Sequence, residues 1–171
     1  MKRVEKVASE ILSELNISIP PVPIEKIAES LNIKVKYEVL GENVSGVIFR
    51  KNNSVVIGIS AFDPPVRQRF TIAHELGHFL LHGVKKDEFL FIENSRHYRD
   101  NHSSEGIYKK EIEANSFAAS LLMPEDMVRN EFYKFNDISP TDLTKKMAKK
   151  FNVSEVAMSI RLENLKLLYA Y

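Results

Sequence analysis

A chain of 171 residues has room for one compact domain with a small helical appendage, and excludes a pair of large domains. Its 24 Lys and Arg against 23 Asp and Glu leave a formal net charge of +1, which gives no global attraction to nucleic acid or to an anionic membrane. Cysteine is absent, so disulfides and thiolate metal sites are excluded, any metal must be held by His, Asp or Glu, and a reducing compartment suits the composition.

The first fifteen residues interleave Lys, Arg and Glu with Val4, Val7, Ile11, Leu12 and Leu15, a helical spacing that lacks the unbroken apolar core of an export signal. No run of about 18 apolar residues follows, so a soluble, cytoplasmic chain without a membrane span is expected. Ile19-Pro20-Pro21-Val22-Pro23 closes the first helix, and a second is predicted over Ile24 to Leu31. From Ile33 to Ile59 the period shortens and β-branched residues gather. Three strands are predicted there, the last two joined by a hairpin turn at Lys51-Asn52-Asn53.

Asp63-Pro64-Pro65 predicts a helix start, with the Asp carboxylate capping free amides and Pro in the first turn, and Gly83 a stop. Between Val84 and Ile107 no period is sustained, and a long loop or flap is expected. A helix is predicted from Tyr108 to Met123, ended by Pro124, with a short helix after Glu125. Ser139-Pro140-Thr141-Asp142 reads as a capped start, and Asn152-Val153-Ser154 turns the chain into a last helix, which gives a helix-turn-helix-like tail. The expected division is 1–135 for the main domain and 136–171 for the tail.

His74-Glu75-Leu76-Gly77-His78 lies within the helix predicted over Pro64 to Leu81. Residues four apart on a helix share one face, so both imidazoles can address a single ion while Glu75 stands beside it. A zinc ion held by two His and a third protein ligand keeps a position open for water and acidifies it, and a neighbouring carboxylate can then move the proton. Glu75 fits that role. Chance alone gives such a motif on the order of once per hundred chains of this composition.

The motif supplies two ligands. A third His six residues on is excluded, because that position is Val84. His74, His78 and His82 together span roughly 12 Å of helix axis, too far for three imidazoles to share one ion. The third ligand is therefore expected from a downstream helix, where Glu111 and Glu113 stand in Glu111-Ile112-Glu113-Ala114-Asn115 and periodicity favours neither.

Arg69-Phe70-Thr71-Ile72-Ala73-His74-Glu75-Leu76-Gly77-His78-Phe79-Leu80-Leu81-His82, followed by Glu113-Ala114-Asn115-Ser116-Phe117-Ala118-Ala119-Ser120-Leu121-Leu122-Met123-Pro124, resembles the ImmA/IrrE family of zinc metallopeptidases. The resemblance matches the Glu before Ala-Asn to the third zinc ligand, which lands on Glu113, with Glu111 the alternative. It implies an α+β, zincin-like core of gluzincin type: a small sheet against the motif helix, with helices from Tyr108 onward closing a cleft. It further implies a cytoplasmic zinc endopeptidase that cleaves a helix-turn-helix repressor of a phage or mobile element, an anti-repressor.

Several expectations are separate from that resemblance. His97, Tyr98, His102 and Tyr108 are possible donors to a developing oxyanion. A strand between Val47 and Ile59 could take an extended peptide by strand addition at a sheet edge. Lys145, Lys146, Lys149 and Lys150 could meet phosphates, but Glu155 and Glu163 beside Arg161 and Lys166 make the last helix a balanced surface, so direct DNA binding is not the favoured reading. The competing function is a DNA- or repressor-binding regulator whose zinc site is structural or vestigial.

Overall fold

The computed structural model describes residues 3–51, 54–82, 89–94, 105–135 and 139–168. Among them are seven helices and four strands, a mixed α+β arrangement: α1 (Arg3–Glu14), α2 (Ile24–Ser30), β1 (Ile33–Glu38), β2 (Val44–Lys51), β3 (Ser54–Ser60), α3 (Pro65–Leu81), β4 (Phe89–Asn94), α4 (Glu105–Leu122), α5 (Glu125–Phe132), α6 (Pro140–Phe151) and α7 (Glu155–Asn164). No described helix is long and apolar enough to cross a membrane. Contacts group residues 23–118 into one compact unit, and residues 1–22 with 119–171 into another. This grouping differs from the expected boundary at 135, because the first helix and the residues from 119 onward join the C-terminal segment.

In the unit formed by residues 23–118, the sheet order is β1-β3-β2-β4. Strands β1 and β3 run parallel, with Ile33 opposite Val55. β2 is antiparallel to both β3 and β4. The expected hairpin is present, since Lys51 pairs with Ser54. Interior position explains why β3 alternates poorly in sequence: Val55, Ile57, Gly58, Ile59 and Ser60 are all buried, as happens when both faces of a strand are covered. Ile24, Ile27, Ile48, Ile72, Leu76 and Phe117 complete the core of this unit.

Two expectations are corrected here. β2 and β3 each have neighbours on both sides, so neither offers an edge to an incoming peptide. The segment expected as a loop contains β4, whose Phe89-Leu90-Phe91-Ile92 run is apolar without alternation and so carries no readable period. α4 also begins three residues before the expected Tyr108.

α3 starts at Pro65, yet its cap is not the expected one. Pro64 is the N-cap residue without a side-chain bond, and the Asp63 carboxylate sits 3.4 Å from Arg67 Nε. A charged partner one turn along competes for the oxygens that would otherwise accept from backbone amides. Gly83, the expected stop, lies outside the described residues, and His82 follows the last helical residue.

In the other unit the predicted cap is present: Ser139 Oγ accepts from the Asp142 amide at 3.1 Å, and Asn152 leaves α6 in the left-handed conformation. Ser154 caps α7 in the same way through Ala157. Leu143, Met147, Phe151, Met158 and Leu162 are buried. Glu131, itself buried, takes Lys134 Nζ at 2.8 Å and also Lys150, which fixes α5 to α6.

Candidate metal centre

α3 is buried without interruption from Thr71 to His78. A helix whose flanks are all covered needs apolar or paired groups around its whole circumference. Ile72, Ala73 and Leu76 supply the apolar part, and His74, Glu75 and His78 are the polar groups placed inside.

His74 Nε2 and His78 Nε2 lie 3.0 Å apart. The Glu111 carboxylate reaches both, with one oxygen 3.3 Å from His74 Nε2 and the other 3.2 Å from His78 Nε2. These side chains form a set able to hold a metal ion. A tetrahedral ion with ligand bonds of about 2 Å requires donor atoms about 3.3 Å apart, so the observed separations fit a zinc-sized ion closely. Burial opposes the charge of Glu111, but hydrogen bonds from His74 and His78 outweigh it and hold the carboxyl far below the usual carboxylate range. Glu111 is thus an anion wherever the imidazoles are neutral ligands.

His74 has an outer partner. Its Nδ1 lies 2.9 Å from Asn115 Oδ1, and since that oxygen only accepts, Nδ1 carries the proton and Nε2 presents its lone pair. Such partners fix the tautomer and ring angle of a metal-binding His. Asn115→Ala is expected to weaken zinc affinity roughly 10–100-fold, with Asn115→Asp restoring most of it, as read by competition with a chromogenic chelator. Equal affinity in Asn115→Ala and the parent chain would remove this role. The sequence contained the signal, because Asn115 stands four residues after Glu111 and shares its helix face.

Glu113, expected as the third ligand, is not in the cluster. Its carboxylate lies 3.7 Å from His82 Nδ1, while His82 Nε2 donates to the Lys110 carbonyl at 3.1 Å. Burial pulls the His82 pKa below its ordinary value, against the opposing pull of the Lys110 carbonyl and the Glu113 charge. The physical reason for the exchange is helical: residues two apart point about 200° away from each other, so only one of the two Glu can face the imidazole pair. His82 stays apart from the pair's ligand set, as its distance along α3 predicted.

The rotation of α4 that selects Glu111 is set by close packing at Gly77. A Cβ there would lie 3.0 Å from Ala114 Cα and 3.2 Å from both the Ala114 carbonyl oxygen and Phe117 Cδ1. Gly77→Ala is therefore expected to cost about 1–3 kcal/mol and to loosen zinc binding together with stability. Urea unfolding and chelator competition measure the two effects, and a variant unchanged in both would contradict the packing.

Glu75 is fully buried and lies against β2. A Cβ at Gly46 would lie 3.1 Å from Glu75 Oε1 and would overlap Thr71, so β2 passes close to the carboxylate only because Gly46 has no side chain. β2 bulges against β4 at the same place, between Val44 and Gly46. Ser45, in the bulge, accepts from Arg67 at 2.9 Å. Of the residues expected to donate to an oxyanion, His97, Tyr98 and His102 lie outside the described residues, and Tyr108 is exposed on α4.

The chain matches the family Peptidase_M78, described as the IrrE N-terminal-like domain, over residues 28–163. Among solved structures, a chain named Mycobacterium tuberculosis transcriptional regulator shares the fold with a TM-score of 0.64 at 17% sequence identity, covering 94% of this chain and 46% of that one. The present chain thus spans about half the length of that protein. No curated protein matches. The match to Peptidase_M78 takes in both the motif helix and the helix that carries Glu111, and the chain belongs to the ImmA/IrrE family.

Proposed function

We propose that the chain is a zinc-dependent endopeptidase. The observation that carries this reading is the set of three donor groups, His74, His78 and Glu111, at tetrahedral spacing on two helices, with Glu75 on the same helix as the imidazoles. Zinc held there supplies an acidified water and polarises the scissile carbonyl. The chain's own groups do the rest. His74 and His78 donate through Nε2, and Asn115 keeps His74 in the required tautomer. Glu75 takes the water proton on its carboxylate and delivers it to the leaving amine, and its burial limits exchange of that proton with solvent.

The substrate we propose is a helix-turn-helix repressor, in a cytoplasmic setting, with the chain acting as an anti-repressor. Membership of the family supports this choice, as does the name of the structural neighbour, a transcriptional regulator. The test is incubation of the zinc-loaded chain with the repressor encoded nearest to its gene, with and without chelator. Cleavage that chelator abolishes and zinc restores is the expected result, and an intact repressor under all conditions would reject that substrate. The second reading, a regulator acting by binding alone, draws on the capped α6–α7 pair with Lys145, Lys146 and Lys149 exposed on it. It expects salt-sensitive binding to duplex DNA or repressor without cleavage.

A further inference from the structure

Residues of α1, the end of α4, α5 and α7 enclose a cavity of about 370 Å³ within the unit of residues 1–22 and 119–171. Pockets for small organic ligands occupy about 300–1,000 Å³. The lining is chemically divided: Leu12, Ile17 and Met127 are apolar, Glu5 and Asp126 are acidic, and Arg161 is basic.

Arg161 is only 6% exposed. Its Nε donates to the Met123 carbonyl at 2.9 Å, and its terminal nitrogens have no hydrogen-bond or ion-pair partner among the described residues. A buried guanidinium with donors to spare is costly to keep unless something accepts from them. Burial pulls its pKa below the ordinary guanidinium value, and the charges of Glu5 and Glu125 act in the opposite direction. On the same wall α5 begins, with Pro124 at its N-cap and no side-chain cap. The first amides of α5 are thus without helical acceptors and carry positive potential.

Arg161 and these amides together suit a carboxylate. A bare anion is nevertheless opposed by the acidic wall. Glu125 is engaged by Arg129 at 2.7 Å, whereas Glu5 and Asp126 keep that side negative. A fitting ligand must bring a cation of its own beside its carboxylate.

We propose that this cavity binds a free α-amino acid with an apolar side chain, its carboxylate on Arg161 and the start of α5, its ammonium toward Glu5 and Asp126, and its side chain on Leu12, Ile17 and Met127. Every group involved lies outside residues 23–118, so the proposal stands apart from the peptidase reading. Calorimetric titration of the full chain with L-leucine tests it, alongside 4-methylpentanoate, which lacks the ammonium, and 3-methylbutylamine, which lacks the carboxylate. Saturable binding of leucine is expected, with each analogue weaker by roughly tenfold or more. Arg161→Met is expected to remove leucine binding. Because that buried change can also disturb folding, Asp126→Asn, at an exposed position, provides the second variant. It should weaken leucine about tenfold and leave 4-methylpentanoate unchanged. No saturable binding of leucine or any other standard amino acid up to about 10 mM, equal affinity for leucine and 4-methylpentanoate, or unaltered leucine binding in Asp126→Asn would each overturn the proposal.

Discussion

Glu75→Gln will keep zinc at unchanged stoichiometry and lower peptide hydrolysis by about 10³-fold, within the range of about 10²–10⁴ that a positioned acid or base contributes. The replacement is nearly isosteric, so the fully buried site against Gly46 is conserved in shape. What it removes is the ability to accept a proton. Metal analysis and a discontinuous cleavage assay on the same preparation separate the two quantities. A variant that loses its zinc would mean that Glu75 holds the fold or the ion, and a variant that cleaves normally would move the base elsewhere. A chain acting purely by binding would keep its affinity for repressor in this variant.

The second large effect distinguishes two carboxylates that stand two residues apart. Glu111→Ala is expected to lower zinc affinity by more than the roughly 10–100-fold that loss of an outer partner costs, because it deletes one of three protein donors. Glu113→Ala is expected to leave affinity near that of the parent chain, since its carboxylate faces His82 rather than the Nε2 pair. Competitive titration with a chelator of known affinity, at one pH and salt concentration for all variants, reads both. Zinc retained in Glu111→Ala and lost in Glu113→Ala would overturn the geometry and restore the family-based match. Acidification gives a consistency check: Glu111 is held ionised well below the ordinary carboxylate range, so metal loss as pH falls should begin with protonation of imidazole rather than of this carboxyl.

The legible parts of this protein were those that local chemistry alone specifies. A His-x-x-x-His spacing requires only a helix to converge, and Pro65 in the first turn of a long apolar-rich segment supplies one. Ser139 with Asp142, and Ser154 before α7, carry their own capping partners, so α6 and α7 were readable from a few residues. The identity of the third donor was not of this kind. Glu111 and Glu113 differ by the rotation of α4 about its axis, and that rotation is fixed by Gly77 of a different helix meeting Ala114 and Phe117. In retrospect Ala114 and Asn115, three and four residues after Glu111, mark the face turned toward α3.

Sequence by itself determined the motif helix, the class of metal ligands and the capped C-terminal pair, because each depends on contacts within a few residues. Tertiary structure decided that β4 exists, that β2 and β3 are interior, that Asp63 answers Arg67 instead of capping α3, and that Glu111 completes the donor set. Each of those outcomes depends on which element packs beside which, and packing between segments distant in sequence leaves no period along the chain.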